Sequence, residues 1–270
     1  MQFGHFDDEK REYVIETPRT PYPWINYLGS QKFFSLISNT SGGYSFYTDA
    51  RLRRLTRYRY NDMPLDNNGH YFFIKDGDTI WNPGWQPSQT ELDSYECRHG
   101  FGYSRFTSKK NDLQAQALYF VPNNEPCEVE MITLKNEGKA DKNISLVSFV
   151  EWCLYNASDD CQNFQRNFST GEVEIEGSVI YHKTEYRERR NHFAFYSCNE
   201  KIDGFDTDRE TFLGLYNSIS APKTVVEGKS GNSIADGWSP IASHRINVTL
   251  KKKKKKTYVF VLGYIENEND

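Results

Sequence analysis

Apolar and polar residues alternate at period two along most of this chain, and Gly, Pro, Asn and Asp interrupt the alternation at short intervals. Strands with one buried face, joined by tight turns, produce that pattern. Phe33 to Ser38 and Tyr44 to Tyr47 flank the turn segment Asn39-Thr40-Ser41-Gly42-Gly43. Residues 1–17 read as two short strands around Asp7-Asp8, and Phe101 to Asn136 reads as three strands with turns at Lys109–Asp112 and Asn123–Pro126. Asn143 to Tyr155 is the longest run: Ile144, Leu146, Val150, Trp152 and Leu154 share one face, and Val147, Phe149 and Tyr155 lie on the other. A strand apolar on both faces is central and covered on both sides. Arg245–Leu250 and Thr257–Ile265 close the chain as a hairpin, which places the six lysines Lys251 to Lys256 at its solvated tip. Such a run also fits a nuclear or nucleic-acid tag. The segment 201–220 continues as short strands and turns, and Lys223 to Pro240 reads as loop. No helical periodicity runs longer than two turns. The expectation is an all-β fold, a large antiparallel β-sandwich spanning residues 1–270 as one domain.

The stretch from Asn163 to Tyr196 organises the rest. Val173 and Ile175, then Val179 and Tyr181, alternate with polar residues around Gly177-Ser178 and predict a hairpin. The chemistry is expected on its rim, at Gln165, Arg166, Asn167, His182, Lys183, Glu185, Arg187, Glu188, Arg189 and Arg190. Such a loop suits a polyhydroxylated or anionic ligand. The same residues also suit a solvated sheet edge guarded by charge.

Arg51, Arg53, Arg57 and Arg59 fall on one face at period two, interrupted only by Leu55. Left unpaired, that row repels itself, so it calls for acidic partners or a bound anion. Pro18, Pro21 and Pro23 make a stiff extended loop that carries Arg19 and Trp24. Trp81, Trp85 and Tyr95 form an aromatic group, read either as core or as a sugar-stacking platform.

Composition narrows the classes. A net charge of −4 argues against a dedicated nucleic-acid binder. No apolar run reaches membrane-spanning length, and the amino terminus shows no secretory pattern. Five cysteines, an odd number without CxxC spacing, fit free thiols in a reducing cytosol. Walker, dinucleotide, HExxH and GxSxG motifs are missing. The six histidines have no recurrent metal-ligand spacing, so no metal or other cofactor is expected. Asp159-Asp160 is the obvious carboxylate pair, but neighbours on a strand point apart.

The segments TPRTPYPWINYLG, FFSLISNTSGGYSFY, DARLRRLTRYRYN, SYECRHGFGY and IADGWSPIASH, with the Asn163–Tyr196 stretch, resemble the amino-terminal domain of the cellobiose phosphorylase family, which includes cellodextrin and chitobiose phosphorylases. The resemblance covers essentially the whole chain. It implies an amino-terminal β-sandwich followed by a helical linker and a catalytic (α/α)6 barrel, both expected after residue 270. It also implies inverting phosphorolysis of cellobiose to α-glucose 1-phosphate and glucose. Phosphate takes the place of activated water, and one carboxylic acid protonates the leaving oxygen. In the family that acid lies on the barrel, so residues 1–270 alone are expected to be inactive. What carries over is the loop NFQRN, where Gln165 and Arg166 match the family's acceptor-sugar side. The implied partners are cellobiose, glucose, phosphate and glucose 1-phosphate, with a second copy of the chain in a homodimer. The implied location is the cytoplasm. A stand-alone carbohydrate-binding sandwich is the alternative.

Overall fold

The computed structural model describes residues 2–59, 63–161, 170–185, 192–237 and 239–266. Among these, twenty strands build two antiparallel sheets. In chain order they are β1 (Gly4–Asp7), β2 (Glu12–Ile15), β3 (Ile25–Ser30), β4 (Phe33–Ser38), β5 (Gly43–Tyr47), β6 (Arg54–Thr56), β7 (His70–Asp76), β8 (Thr79–Trp81), β9 (Ser94–Gly100) and β10 (Tyr103–Lys110). There follow β11 (Leu113–Phe120), β12 (Cys127–Asn136), β13 (Lys142–Tyr155), β14 (Thr170–Glu176), β15 (Val179–Glu185), β16 (His192–Cys198), β17 (Gly204–Asp208), β18 (Asp236–Gly237), β19 (Pro240–Leu250) and β20 (Lys255–Glu266). The larger sheet runs β1-β2-β9-β10-β11-β12-β20-β16-β15-β14-β18. The smaller runs β17-β19-β13-β6-β5-β4-β3, with β7 also on β13 and β8 on β7. The all-β antiparallel sandwich expected from the alternation is therefore the architecture.

β13 is the axis of the smaller sheet. One edge pairs with β19; the other pairs with β7 over Ile144–Val150 and then with β6 at Trp152 and Tyr155. Its two apolar faces are both covered, as the sequence predicts. Ile144, Leu146, Val150 and Trp152 enter the core between the sheets, among Phe106, Tyr119, Ile132, Tyr196 and Phe260. Val147 and Phe149 point the other way, against Phe212, Leu213 and Val225. Each fully buried side chain of this size contributes about 1.5–3 kcal/mol through lost water contact.

The outer cover comes from two short helices that alternation does not reveal. These are α2 (Arg209–Leu213) and α3 (Lys223–Glu227); a third, α1 (Ala157–Cys161), follows β13. Asp208 caps α2 by accepting from the Thr211 amide at 2.8 Å. Pro222 opens α3, and Gly228 closes it at φ 69°.

The hairpin of β14 and β15 forms as expected, with Gly177 at φ 62° in its two-residue turn. Its inward face differs from the expected one. The turn sets Ile175 opposite Ile180 and Val173 opposite His182. Ile180 and His182 are thus buried, and His182 stacks on Trp152 at 5.4 Å. His182 belongs to the core and not to the rim. The expected closing hairpin does not form: β19 pairs in the smaller sheet and β20 in the larger, so Lys251–Lys254 are an exposed connection from one sheet to the other, and Lys255 and Lys256 already pair with β12. No described helix is long and apolar enough to cross a membrane.

Candidate functional site

The two segments expected to carry chemistry, 162–169 and 186–191, lie outside the described residues, and with them Gln165, Arg166 and Arg187 to Arg190. Their boundaries are described. Thr170 on β14 pairs with Glu185 on β15, near one edge of the larger sheet.

The other end of 162–169 is anchored by charge. Asn156 Oδ1 accepts from the Ser158 and Asp159 amides at 3.0 and 3.3 Å and starts α1. α1 turns the Asp160 carboxylate inward, where Arg57 grips it through Nε at 2.9 and 3.0 Å and Nη2 at 2.6 Å. Arg57 Nη1 reaches Glu151 on β13 at 2.6 Å, and Arg209 meets the same carboxylate at 2.9 Å. Arg59 donates to the Asp160 carbonyl at 3.2 Å. Burial opposes charge on both Arg57 and Glu151. The ion pairs outweigh it, raising the Arg57 pKa and lowering that of Glu151.

Of the arginine row, Arg57 and Arg53 take acidic partners and Arg59 a backbone carbonyl. β6 is only three residues long, because Asp49 Oδ1 takes the Arg51 and Leu52 amides at 2.8 and 2.9 Å and turns the chain before it. The four arginines therefore do not form one strand face. Arg53 pairs with Glu266 at 3.3 Å, beside His192, which hydrogen-bonds Tyr264. The Asp159-Asp160 pair does not act as one: Asp160 is locked by Arg57. Glu151 and Asp160 are the two carboxylates of this network, and arginine favours the charged form of Glu151.

A second region gathers the proline loop. Pro18, Arg19 and Tyr22 face Trp85, Gln86 and Gln89 across an open groove of about 260 Å3. The Arg19 guanidinium lies over the Trp85 ring at 5.4 Å. Trp85 itself has φ 74°, a conformation uncommon for an aromatic residue. Trp81 is wholly buried, as core, and Tyr95 donates to the Asn39 carbonyl. Amides, a guanidinium and an indole edge are groups that meet sugar hydroxyls. The floor of this groove is Asp66, buried and accepting from the hydroxyls of Ser38, Thr40 and Tyr58. Sequence reading missed Asp66. Its signal was the hydroxyl residues Ser38, Thr40 and Ser41 clustered within one turn, which need a shared acceptor once buried.

Residues 11–270 match the model of the glycosyl hydrolase 94 supersandwich domain. The chain belongs to that family. Relatives include two N,N'-diacetylchitobiose phosphorylases, from Vibrio proteolyticus at 34% identity and from Vibrio furnissii at 33%, each aligned over 97% of this chain. A solabiose phosphorylase from Paenibacillus borealis is 29% identical. The chain spans about 33% of the length of the two Vibrio proteins. These relatives are chitobiose and solabiose phosphorylases, not cellobiose phosphorylases. Among solved structures, the GalM/aldose epimerase homologue from C. elegans superposes with a TM-score of 0.52 at 7% identity, covering 90% of this chain and 99% of that one. A bacterial glucoamylase complexed with acarbose superposes with a TM-score of 0.50 at 10% identity, covering 95% of this chain and 36% of that one. At such identities the likeness is one of fold.

Proposed function

We propose that this chain is the amino-terminal domain of a cytoplasmic inverting disaccharide phosphorylase, with a helical linker and a catalytic barrel following it. The match over 11–270, together with relatives that align along nearly all of this chain and only 33% of their own length, carries the reading. The sandwich then presents residues 162–169 to the barrel. Gln165 and Arg166 reach the acceptor sugar there, the barrel supplies the acid that protonates the leaving oxygen, and phosphate attacks the anomeric carbon. The Arg57–Asp160 clamp serves this by fixing one end of the loop. The same domain contributes to a homodimer.

The sequence motifs favour cellobiose as the substrate, and the Vibrio relatives favour N,N'-diacetylchitobiose. Intact mass of the protein from its native source comes first: a product two to three times heavier than 31.5 kDa agrees with the reading. That product, given phosphate and each disaccharide in turn, releases a sugar 1-phosphate from one of them. A native product of 31.5 kDa that binds cellobiose saturably favours the stand-alone carbohydrate-binding module instead, with the Arg19–Trp85 groove as its site.

A further inference from the structure

Deep between the sheets, away from both regions above, three polar side chains meet. Glu128 and Glu130 project from β12 of the larger sheet, two residues apart and therefore on one face. His70 projects from β7 of the smaller sheet. All three are buried, at 0%, 1% and 0% exposure. One ligand-capable atom from each lies within 4.8 Å of the other two.

The outer atoms of the three are held by hydroxyls. Ser45 Oγ donates to Glu128 Oε2 at 2.7 Å, and Tyr196 Oη donates to Glu130 Oε2 at 3.0 Å. Ser45 Oγ also lies 3.3 Å from His70 Nε2. A Ser45 proton on the carboxylate leaves its oxygen to accept from Nε2–H, the imidazole tautomer that a cation at Nδ1 requires. The inner atoms are then bare lone pairs. His70 Nδ1, Glu128 Oε1 and Glu130 Oε1 have no hydrogen-bond partner, and Nδ1 faces Glu128 Oε1 at 3.7 Å. Lone pairs turned toward one another in a dry core repel and cost several kcal/mol unless a proton or a cation sits among them.

We propose that His70, Glu128 and Glu130 bind a first-row divalent cation of the Zn2+ class that staples the two sheets together. Imidazole and carboxylate are the ligand types such ions take. A tetrahedral shell with bonds of about 2.0–2.2 Å separates ligand atoms by about 3.3–3.6 Å, close to the spacing that Nδ1 and Glu128 Oε1 already have. Two carboxylates and one divalent ion sum to zero charge, which removes the cost of burying two anions side by side. Ser45 and Tyr196 act as the outer hydrogen bonds that aim metal ligands. The alternation hid this site because its ligands come from strands far apart in sequence.

The test is refolding. The 270-residue protein is unfolded in denaturant with a chelator and refolded with Zn2+, with Co2+, or with chelator alone. It is then desalted for metal analysis and thermal unfolding. The expected result is about one retained ion per chain and a midpoint higher by about 10 °C or more than the chelator sample. Glu130→Gln and His70→Phe are expected to retain less than about one-tenth of an ion. The Co2+ sample is expected to show no thiolate charge-transfer band, which holds the test open if the variants fail to fold. Equal midpoints with and without metal and no retained ion overturn the proposal. So does a retained ion that both folded variants keep, or a Co2+ spectrum showing cysteine ligation.

Discussion

Arg57 holds Asp160 through two nitrogens at 2.6–3.0 Å while its third reaches Glu151, so one guanidinium ties the end of α1 to β13. Both carboxylates are almost wholly buried. Arg57→Ala leaves Asp160 without its cation and Glu151 with Arg209 alone, and breaking a buried pair from one side costs roughly 3–5 kcal/mol. Arg57→Lys keeps the charge but not the fork, and should cost distinctly less. Urea unfolding of the three proteins checks this. An Arg57→Ala loss below about 1 kcal/mol would show that the clamp is incidental.

If residues 162–169 serve an acceptor sugar, Arg166→Ala in the full-length enzyme should act on one substrate. A lost charge-assisted hydrogen bond costs about 1.5–3 kcal/mol. That corresponds to a rise of roughly ten- to a hundredfold in the acceptor requirement of the synthetic direction. The phosphate requirement of phosphorolysis should barely move. Initial rates with acceptor and phosphate varied separately decide it, and equal effects on both would remove Arg166 from the acceptor site.

Asp66 fixes the turn at residues 38–43 to the proline-loop groove. Burial pushes its pKa up, and the hydroxyls of Ser38, Thr40 and Tyr58 pull it partly back. Asp66→Ala strands three buried hydroxyls and should destabilise by about 2–4 kcal/mol. Gly42 explains why no side chain stands beside it: a Cβ there falls 2.0 Å from Asp66 Oδ1. Gly42→Ala should therefore cost about 1–3 kcal/mol through forced displacement. In an Asp66→Ala background its cost should shrink, since the clashing carboxylate is gone. A thermal double-mutant cycle reads that coupling, and simple additivity would refute the contact.

Much of this fold was legible because β structure writes its burial at period two. β13 shows it best: Leu146 and Trp152 on one face and Phe149 on the other named both layers that cover it. The hairpin face was misread at Val179 and Tyr181, although the two-residue turn at Gly177-Ser178 fixes Ile175 against Ile180 and sends His182 inward. The arginine row failed for a local reason, the Asp49 side chain that turns the chain at Arg51 and Leu52. α2 and α3 are too short for periodicity to register, and only their ends, Asp208 with Thr211 and Pro222 with Gly228, announced them. The candidate site was less legible, because its anchors are long-range. Nothing local to Arg57 foretells Asp160, 103 residues away.

The inward position of His182 has a consequence in pH. Burial lowers its pKa to about 3, against about 6.5 in the unfolded chain. Between those values the unfolded chain binds a proton that the folded chain refuses, so this residue's contribution to stability falls as pH drops below 6.5. His244, lowered to about 3, and His99, lowered to about 4, act in the same direction, both through burial. The buried carboxyl of Asp66, raised by burial, acts with the opposite sign. The His182 share is therefore isolated by difference. His182→Phe keeps a ring on Trp152 and removes the titration. From pH 6.5 to pH 5 the variant should gain about 2 kcal/mol relative to the parent, one proton's worth over that interval. Denaturant unfolding at the two pH values measures it, and a constant difference between the two proteins would mean that His182 already carries its proton in the folded state.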